Sequence, residues 1–81
     1  MKVSFTHRFQ RQYQALAEKH KGKFDKQLEF LLLNLRHPSL RAKKYDESNE
    51  VWQARVDKDY RFYFKIEADT YILLSIIPHQ K

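Results

Sequence analysis

Between Pro38 and Glu50 the hydrophobic period of this chain changes from three-and-four spacing to a period of two, and few folds accommodate both. In the first half Phe9, Tyr13, Leu16, Ala17 and His20 fall on one stripe, with Arg8, Arg11, Gln12 and Lys19 outside it. Met1 to Phe5 alternates like a short strand, and Thr6 then offers an N-cap hydroxyl, so a helix is expected to begin near His7. Gly22, the only glycine, sits where a left-handed helix cap is cheapest. A second helix then carries Phe24, Leu28, Leu31, Leu32 and Leu35, and Pro38, which disfavours helical geometry at His37, should end it there. Phe30 and Leu33 widen its apolar face, which predicts a helix covered on more than one side.

Pro38 to Asn49 shows neither period and reads as a loop. Beyond it Trp52, Ala54 and Val56 alternate with Gln53, Arg55 and Asp57, the pattern of a half-buried strand. Asp57-Lys58-Asp59 supplies a turn, after which Tyr60, Phe62, Phe64 and Ile66 alternate with Arg61, Tyr63 and Lys65. A second turn, Glu67-Ala68-Asp69, leads to Tyr71–Ile77, apolar on both faces and therefore expected in the middle of a sheet. The fold class expected is α+β: a strand, a two-helix hairpin, then a three-stranded antiparallel meander, with the helices packed on one face of the sheet.

Eighty-one residues make one domain, here read as residues 1–81, and a chain that short buries only about 60% of its unfolded surface. Without cysteine it has neither disulfides nor a thiolate metal site, so six Phe, five Tyr and one Trp must supply the core. With 42% apolar and 32% charged residues, one Gly and two Pro, disorder, collagen and two-domain readings are excluded. No run approaches the roughly 20 apolar residues of a membrane span, and the first residues lack a signal-peptide core, so a cytoplasmic location is expected.

The net charge of +6 is unevenly placed. Residues 1–45 hold eleven basic and three acidic side chains, whereas residues 46–81 hold five and seven. Such asymmetry suits an anionic partner, nucleic acid or an acidic protein, although solvation of helix faces produces the same count.

Three groups of residues carry candidate chemistry. Arg55 and Arg61 meet across the short turn if the hairpin pairs in register, and Gln53, Tyr63 and Lys65 share their face. Two guanidinium forks on one sheet face can clamp phosphate oxygens; the alternative is a pair of solvated strand residues offset by Asp57, Asp59 and Glu67. His79 follows the last strand and is a candidate general acid or base, histidine being the side chain that titrates near neutrality. Arg41, Lys43, Lys44 and Tyr45 interleave basic and aromatic groups, a pattern that can hold a phosphate backbone and stack a base. No histidine pair has zinc spacing, no Gly-rich phosphate loop, Ser-centred nucleophile or paired carboxylates are present, and no metal or cofactor is expected. What remains as an enzyme option is metal-free phosphoryl chemistry on RNA, in which the 2′-hydroxyl attacks the adjacent phosphate.

The run from Val51 to Phe64, with Arg55-Val56 and Tyr60-Arg61 its most specific part, preceded by Pro38-Ser39-Leu40 and Lys43-Lys44 and followed by an apolar strand ending in His79, resembles the RelE/ParE superfamily of bacterial toxin-antitoxin toxins. The resemblance covers nearly the whole chain. It implies a type II toxin made with a cognate antitoxin. In the RelE branch such a toxin cuts mRNA in the ribosomal A site; in the ParE branch it inhibits DNA gyrase and cuts nothing. By the same resemblance Arg61 is the phosphate-contacting arginine, Arg55 stands at a basic catalytic position, Lys43 and Lys44 match the RNA-contacting loop, and His79 falls near the residue that transfers a proton. Gln53 stands where some members have lysine. RelE-type enzymes often continue with a base-stacking tyrosine, which this sequence lacks at that place; Tyr63 and Tyr45 are the candidates to substitute for it. The expectation is therefore a RelE-like, ribosome-dependent endoribonuclease, with a ParE-like gyrase inhibitor or a non-toxic RNA-binding relative as alternatives.

Overall fold

In the computed structural model, which describes residues 1–79, the element order is β1 (Lys2–Phe5), α1 (His7–Gln14), α2 (Glu18–Leu33), a 3-10 turn (Pro38–Leu40), β2 (Lys43–Asp46), β3 (Val51–Arg55), β4 (Tyr60–Glu67) and β5 (Thr70–Pro78). The strands form one mixed sheet in the order β1-β5-β4-β3-β2. The meander β3-β4-β5 is antiparallel as its alternation predicts, and β1 adds to β5 in parallel, Val3 opposite Tyr71. Both helices lie on one face, where Phe9, Phe24 and Leu31 meet Ala54, Phe62, Phe64, Leu73 and Ile76. Phe24 stands edge-on to Phe62 with ring centroids 5.2 Å apart, and Phe62 is fully buried. Truncating such a ring to alanine costs about 3–5 kcal/mol. Among the described residues no helix is long and apolar enough to cross a membrane.

Where the structure departs from the sequence expectation, a local physical reason is visible. The first helix does not run on to Gly22; it stops at Gln14, and Leu16 drops into the core. Ala17 is extended, and α2 starts at Glu18, whose carboxylate suits the positive end of the helix dipole. Gly22 and His20 therefore lie inside α2. That helix ends at Leu33 rather than at His37: Asn34 is extended, and its side chain accepts from the Arg36 N–H at 2.9 Å. Nor is α2 covered on more than one side, since Leu33 is 80% exposed and Leu32 41%.

The stretch expected to be a loop contains both the 3-10 turn and an edge strand. Lys43-Lys44-Tyr45-Asp46 has no apolar face to reveal a strand, but β3 offers it a ladder, with Lys43 opposite Gln53 and Lys44 opposite Trp52. Its shortness, bulge and charge are the usual protections of a sheet edge.

Strand β5 is also bulged. Tyr63 pairs with Ser75 but Phe64 with Leu73, so Leu74 is the extra residue and the inward positions run Tyr71, Leu73, Ile76. Helix α1 is fastened there. The Thr6 hydroxyl accepts from the Phe9 N–H at 3.1 Å, the N-cap expected, and donates to the Leu74 carbonyl at 3.0 Å. Gln12 Oε1 accepts from the Ile76 N–H at 2.9 Å.

Candidate functional site

The sheet face opposite the helices carries the basic residues. The turn Asp57-Lys58-Asp59 is short enough to set the register of β3 against β4, and that register puts Arg55 directly opposite Arg61 and Gln53 opposite Tyr63. Asp57 makes the turn rigid. Its Oδ1 accepts from the backbone N–H groups of Asp59 and Tyr60 at 2.8 and 2.9 Å, and its Oδ2 lies 2.6 Å from His20 Nδ1. Burial pushes the Asp57 carboxyl up, but the bonds from His20 and the two N–H groups outweigh it and hold the pKa below the ordinary value.

Arg61 uses the same turn as an anchor. Its Nη1 donates to the Asp57 carbonyl at 2.6 Å and the Tyr60 carbonyl at 2.9 Å, which fixes the guanidinium and leaves the rest of the fork for a ligand. Burial, then the charges of Arg55 and Arg41, pull its pKa below the ordinary value, with Tyr63 and Asp57 offsetting part of the effect. No carboxylate among the described residues forms an ion pair with Arg41, Arg55 or Arg61. Such a cluster favours the arrival of an anion, which relieves the mutual repulsion.

These arginines line one cleft of about 220 Å³ together with Lys43, Gln53 and His79. His79 is brought in by β5, which ends at Pro78, and by its own N–H, which donates to the Asp59 carbonyl at 2.8 Å. A second hollow of about 390 Å³ adjoins it, lined by Tyr45, Tyr63, Gln53, Ile77, Pro78 and His79. There Gln53 Nε2 donates to the Tyr63 hydroxyl at 2.9 Å, and the Tyr45 ring stands edge-on to Tyr63 at 4.9 Å. Of the residues singled out in the sequence, Arg41, Lys43, Arg55, Arg61 and His79 thus share a cleft, with Tyr45 and Tyr63 beside it. Lys44 does not join them: its ammonium sits 5.5 Å from the Trp52 ring centroid and 4.0 Å from Glu47.

Sequence reasoning passed over the residues that support the cleft. Gln27, buried on α2, donates from Nε2 to the Arg55 carbonyl at 2.7 Å and the Ser39 carbonyl at 3.0 Å, while its Oε1 accepts from the Ser39 hydroxyl. One amide thereby ties helix, 3-10 turn and β3 together under Arg55. The available signal was a polar residue three positions from both Phe24 and Phe30, inside an apolar stripe. Among the described residues His20, Asp57 and Asp59 are the group whose donor atoms lie close enough, within 4.8 Å, to share a metal ion. The hydrogen bonds already made by Asp57 and His20 give that group a structural role.

A mixed sheet with two helices on one face and an unneutralised arginine cleft on the other is the arrangement expected of the superfamily named above. The sequence model of the ParE toxin of type II toxin-antitoxin systems matches residues 3–81. The chain belongs to this family. Among solved structures the toxin is similar to a YoeB/ParE toxin from Agrobacterium tumefaciens, at 13% identity and a TM-score of 0.83, covering 99% of this chain and 100% of that one. It is also similar to a chain of the archaeal RelE-RelB complex from Pyrococcus horikoshii, at 17% identity and TM-score 0.79, covering 95% and 92%. A third match is to the RelBE toxin-antitoxin complex of E. coli, at 12% identity and TM-score 0.74, covering 99% and 98%. At these identities the likeness is one of fold. No curated protein sequence matches the chain.

Proposed function

We propose that this toxin is a ribosome-dependent mRNA endoribonuclease, cutting RNA through attack of the 2′-hydroxyl on its own 3′-phosphate. The observation that carries this reading is the cross-strand pair Arg55–Arg61 sharing a cleft with His79. As the 2′-oxygen bonds to phosphorus, negative charge accumulates on the two non-bridging oxygens, where fixed guanidiniums are most effective. The bond to the 5′-oxygen then breaks, leaving a 2′,3′-cyclic phosphate and a 5′-hydroxyl. An in-line displacement puts the entering and leaving oxygens on opposite sides of phosphorus, so the one imidazole in the cleft serves one of them, as base or as acid. The other proton transfer falls to Lys43 or to water. The Tyr45–Tyr63 hollow is of the right character to receive an unstacked base.

Primer extension on a translated reporter message after brief induction tests the proposal. New 5′ ends in register with the reading frame are expected, and none in the Arg61→Ala variant. The family match favours a second reading, inhibition of DNA gyrase without cleavage. That reading predicts induction of the DNA-damage response and no new message ends. In either case the partner proposed is a cognate antitoxin, with acidic residues against the basic surface and apolar ones against Leu32 and Leu33.

A further inference from the structure

A cleft of about 620 Å³, wider than the one that holds Arg61, lies beside it. It lies on the other side of Arg41 and Arg55, which wall both, and its further cations are Lys23 from α2 and Lys58 from the β3–β4 turn. Four separate segments therefore deliver positive charge to one concavity, an arrangement that solvation of a single helix face does not produce. No carboxylate among the described residues is in ion-pair contact with any of the four. The one acidic group on the wall, Asp57, has both oxygens engaged by His20 and by the backbone of the turn. Gln27 lines the same cleft, with its amide fastened to Ser39 and Arg55.

Arg41 joins the two clefts. It caps the 3-10 turn in the left-handed region, φ 47 and ψ 42, a conformation uncommon for a residue with a side chain, and its N–H bonds the Pro38 carbonyl at 3.3 Å. From that position Arg41 lines both cavities.

We propose that the Lys23–Lys58 cleft is a second phosphate seat, which takes a backbone phosphate of the same single-stranded RNA whose scissile phosphate lies at Arg55 and Arg61, the strand passing over Arg41. This rests on the RNA-cleaving reading of the arginine cleft. It extends that site from one phosphodiester to a tract of strand and assigns Lys23 and Lys58 to affinity rather than to chemistry.

The test uses the full chain and two 2′-O-methyl oligoribonucleotides, which bind without being cut: a trinucleotide for the arginine cleft and a nonanucleotide long enough to reach both. Binding is followed by NMR titration and fluorescence anisotropy for the parent and for the double variant Lys23→Gln, Lys58→Gln. Both lysines are exposed, and an unchanged thermal melt will show that the variant folds. The nonanucleotide should bind roughly tenfold more weakly to the variant, and its slope of log K against log salt should become shallower by about 0.7, the value for one phosphate contact on a single strand. Trinucleotide binding should not change. The proposal is overturned if the variant holds the nonanucleotide as tightly as the parent, if both oligonucleotides weaken equally, or if affinity falls with no change in salt slope. If the parent binds neither oligonucleotide, the second-seat proposal is overturned, while the RNA reading of the arginine cleft stands or falls separately on the in-frame cuts in a translated message. An acidic peptide that competes where RNA does not would assign the lysines to a protein partner and overturn the proposal too.

Discussion

Two polar constellations sit on either side of the β3–β4 turn and obey opposite rules. On the helix side, His20, Asp57 and the backbone of Asp59 and Tyr60 satisfy one another: a carboxylate buried to 7% exposure has three hydrogen-bonding partners. On the open side, Arg41, Arg55 and Arg61 repel one another across a cleft in which, among the described residues, no carboxylate forms an ion pair with them. Closed polar groups hold a fold together, whereas uncompensated like charges cost stability and persist where a ligand is to be met. The two are mechanically joined, because the Asp57 carbonyl holds the Arg61 guanidinium and the Asp59 carbonyl holds the His79 N–H.

The largest effect expected is on the open side. Arg61→Ala should lower message cleavage by about 10²–10³-fold, the usual loss when one fixed donor to a developing oxyanion is removed. The melting temperature should scarcely fall, because relief of repulsion from Arg55 and Arg41 offsets the lost bonds to the turn. Arg61→Lys keeps the charge but not the fork and should recover only part of the rate. A variant that melts far below the parent would show that Arg61 belongs to the scaffold, and the contrast between the two sides would fail.

The mirror-image change is Asp57→Ala. It strands two backbone N–H groups and His20 and should cost about 2–3 kcal/mol. For a domain of this size that is a fall in melting temperature of about 10 °C or more. Asp57→Asn, which keeps most of the geometry, should lose less and should also change the acid limb of the stability curve. The native carboxyl titrates below its unfolded value, so its contribution is fully present above the ordinary carboxylate pKa of about 3.9 and is lost as pH falls through the native value. Melts recorded downward from about pH 5 should decline less steeply for Asp57→Asn than for the parent. Equal slopes would mean that the closed cluster contributes nothing through its charge.

How far these constellations could be read in advance depended on whether local pattern set them. The Arg55–Arg61 pair was legible because a short polar turn between two alternating runs leaves almost no freedom of register. The helices and the meander were legible from their periods. Strand β2 was not, since Lys43-Lys44-Tyr45-Asp46 carries no apolar face and owes its conformation to the exposed ladder of β3. The parallel docking of β1 on β5, joining residues nearly 70 positions apart, has no local signal at all. The same holds for Lys23 and Lys58 facing one cleft from α2 and the turn, whereas Gln27 beneath Arg55 shows in the sequence only as a polar residue inside an apolar stripe. The helix boundary differs from the expected one because the turn is made by Ala15-Leu16-Ala17, which buries Leu16, and not by the lone glycine.

That glycine gives the smallest and most discriminating test of the comparison. Gly22 lies in α2 two residues after His20 and next to Lys23, on the helix that serves both constellations, and a Cβ built on it meets nothing within 4 Å. In a helix interior Gly22→Ala should stabilise by about 0.5–1 kcal/mol, raising the melting temperature by several degrees, through lost freedom of the unfolded chain. A left-handed cap would give the opposite sign, so the melt alone decides between the helix boundary expected from the sequence and the one observed. Activity is the second readout. If scaffold and site are separable, stiffening α2 leaves cleavage unchanged. A more stable protein that cuts more slowly would mean that the cleft draws on motion of the helix beneath it, and the closed side of the turn would then be part of the machinery rather than its support.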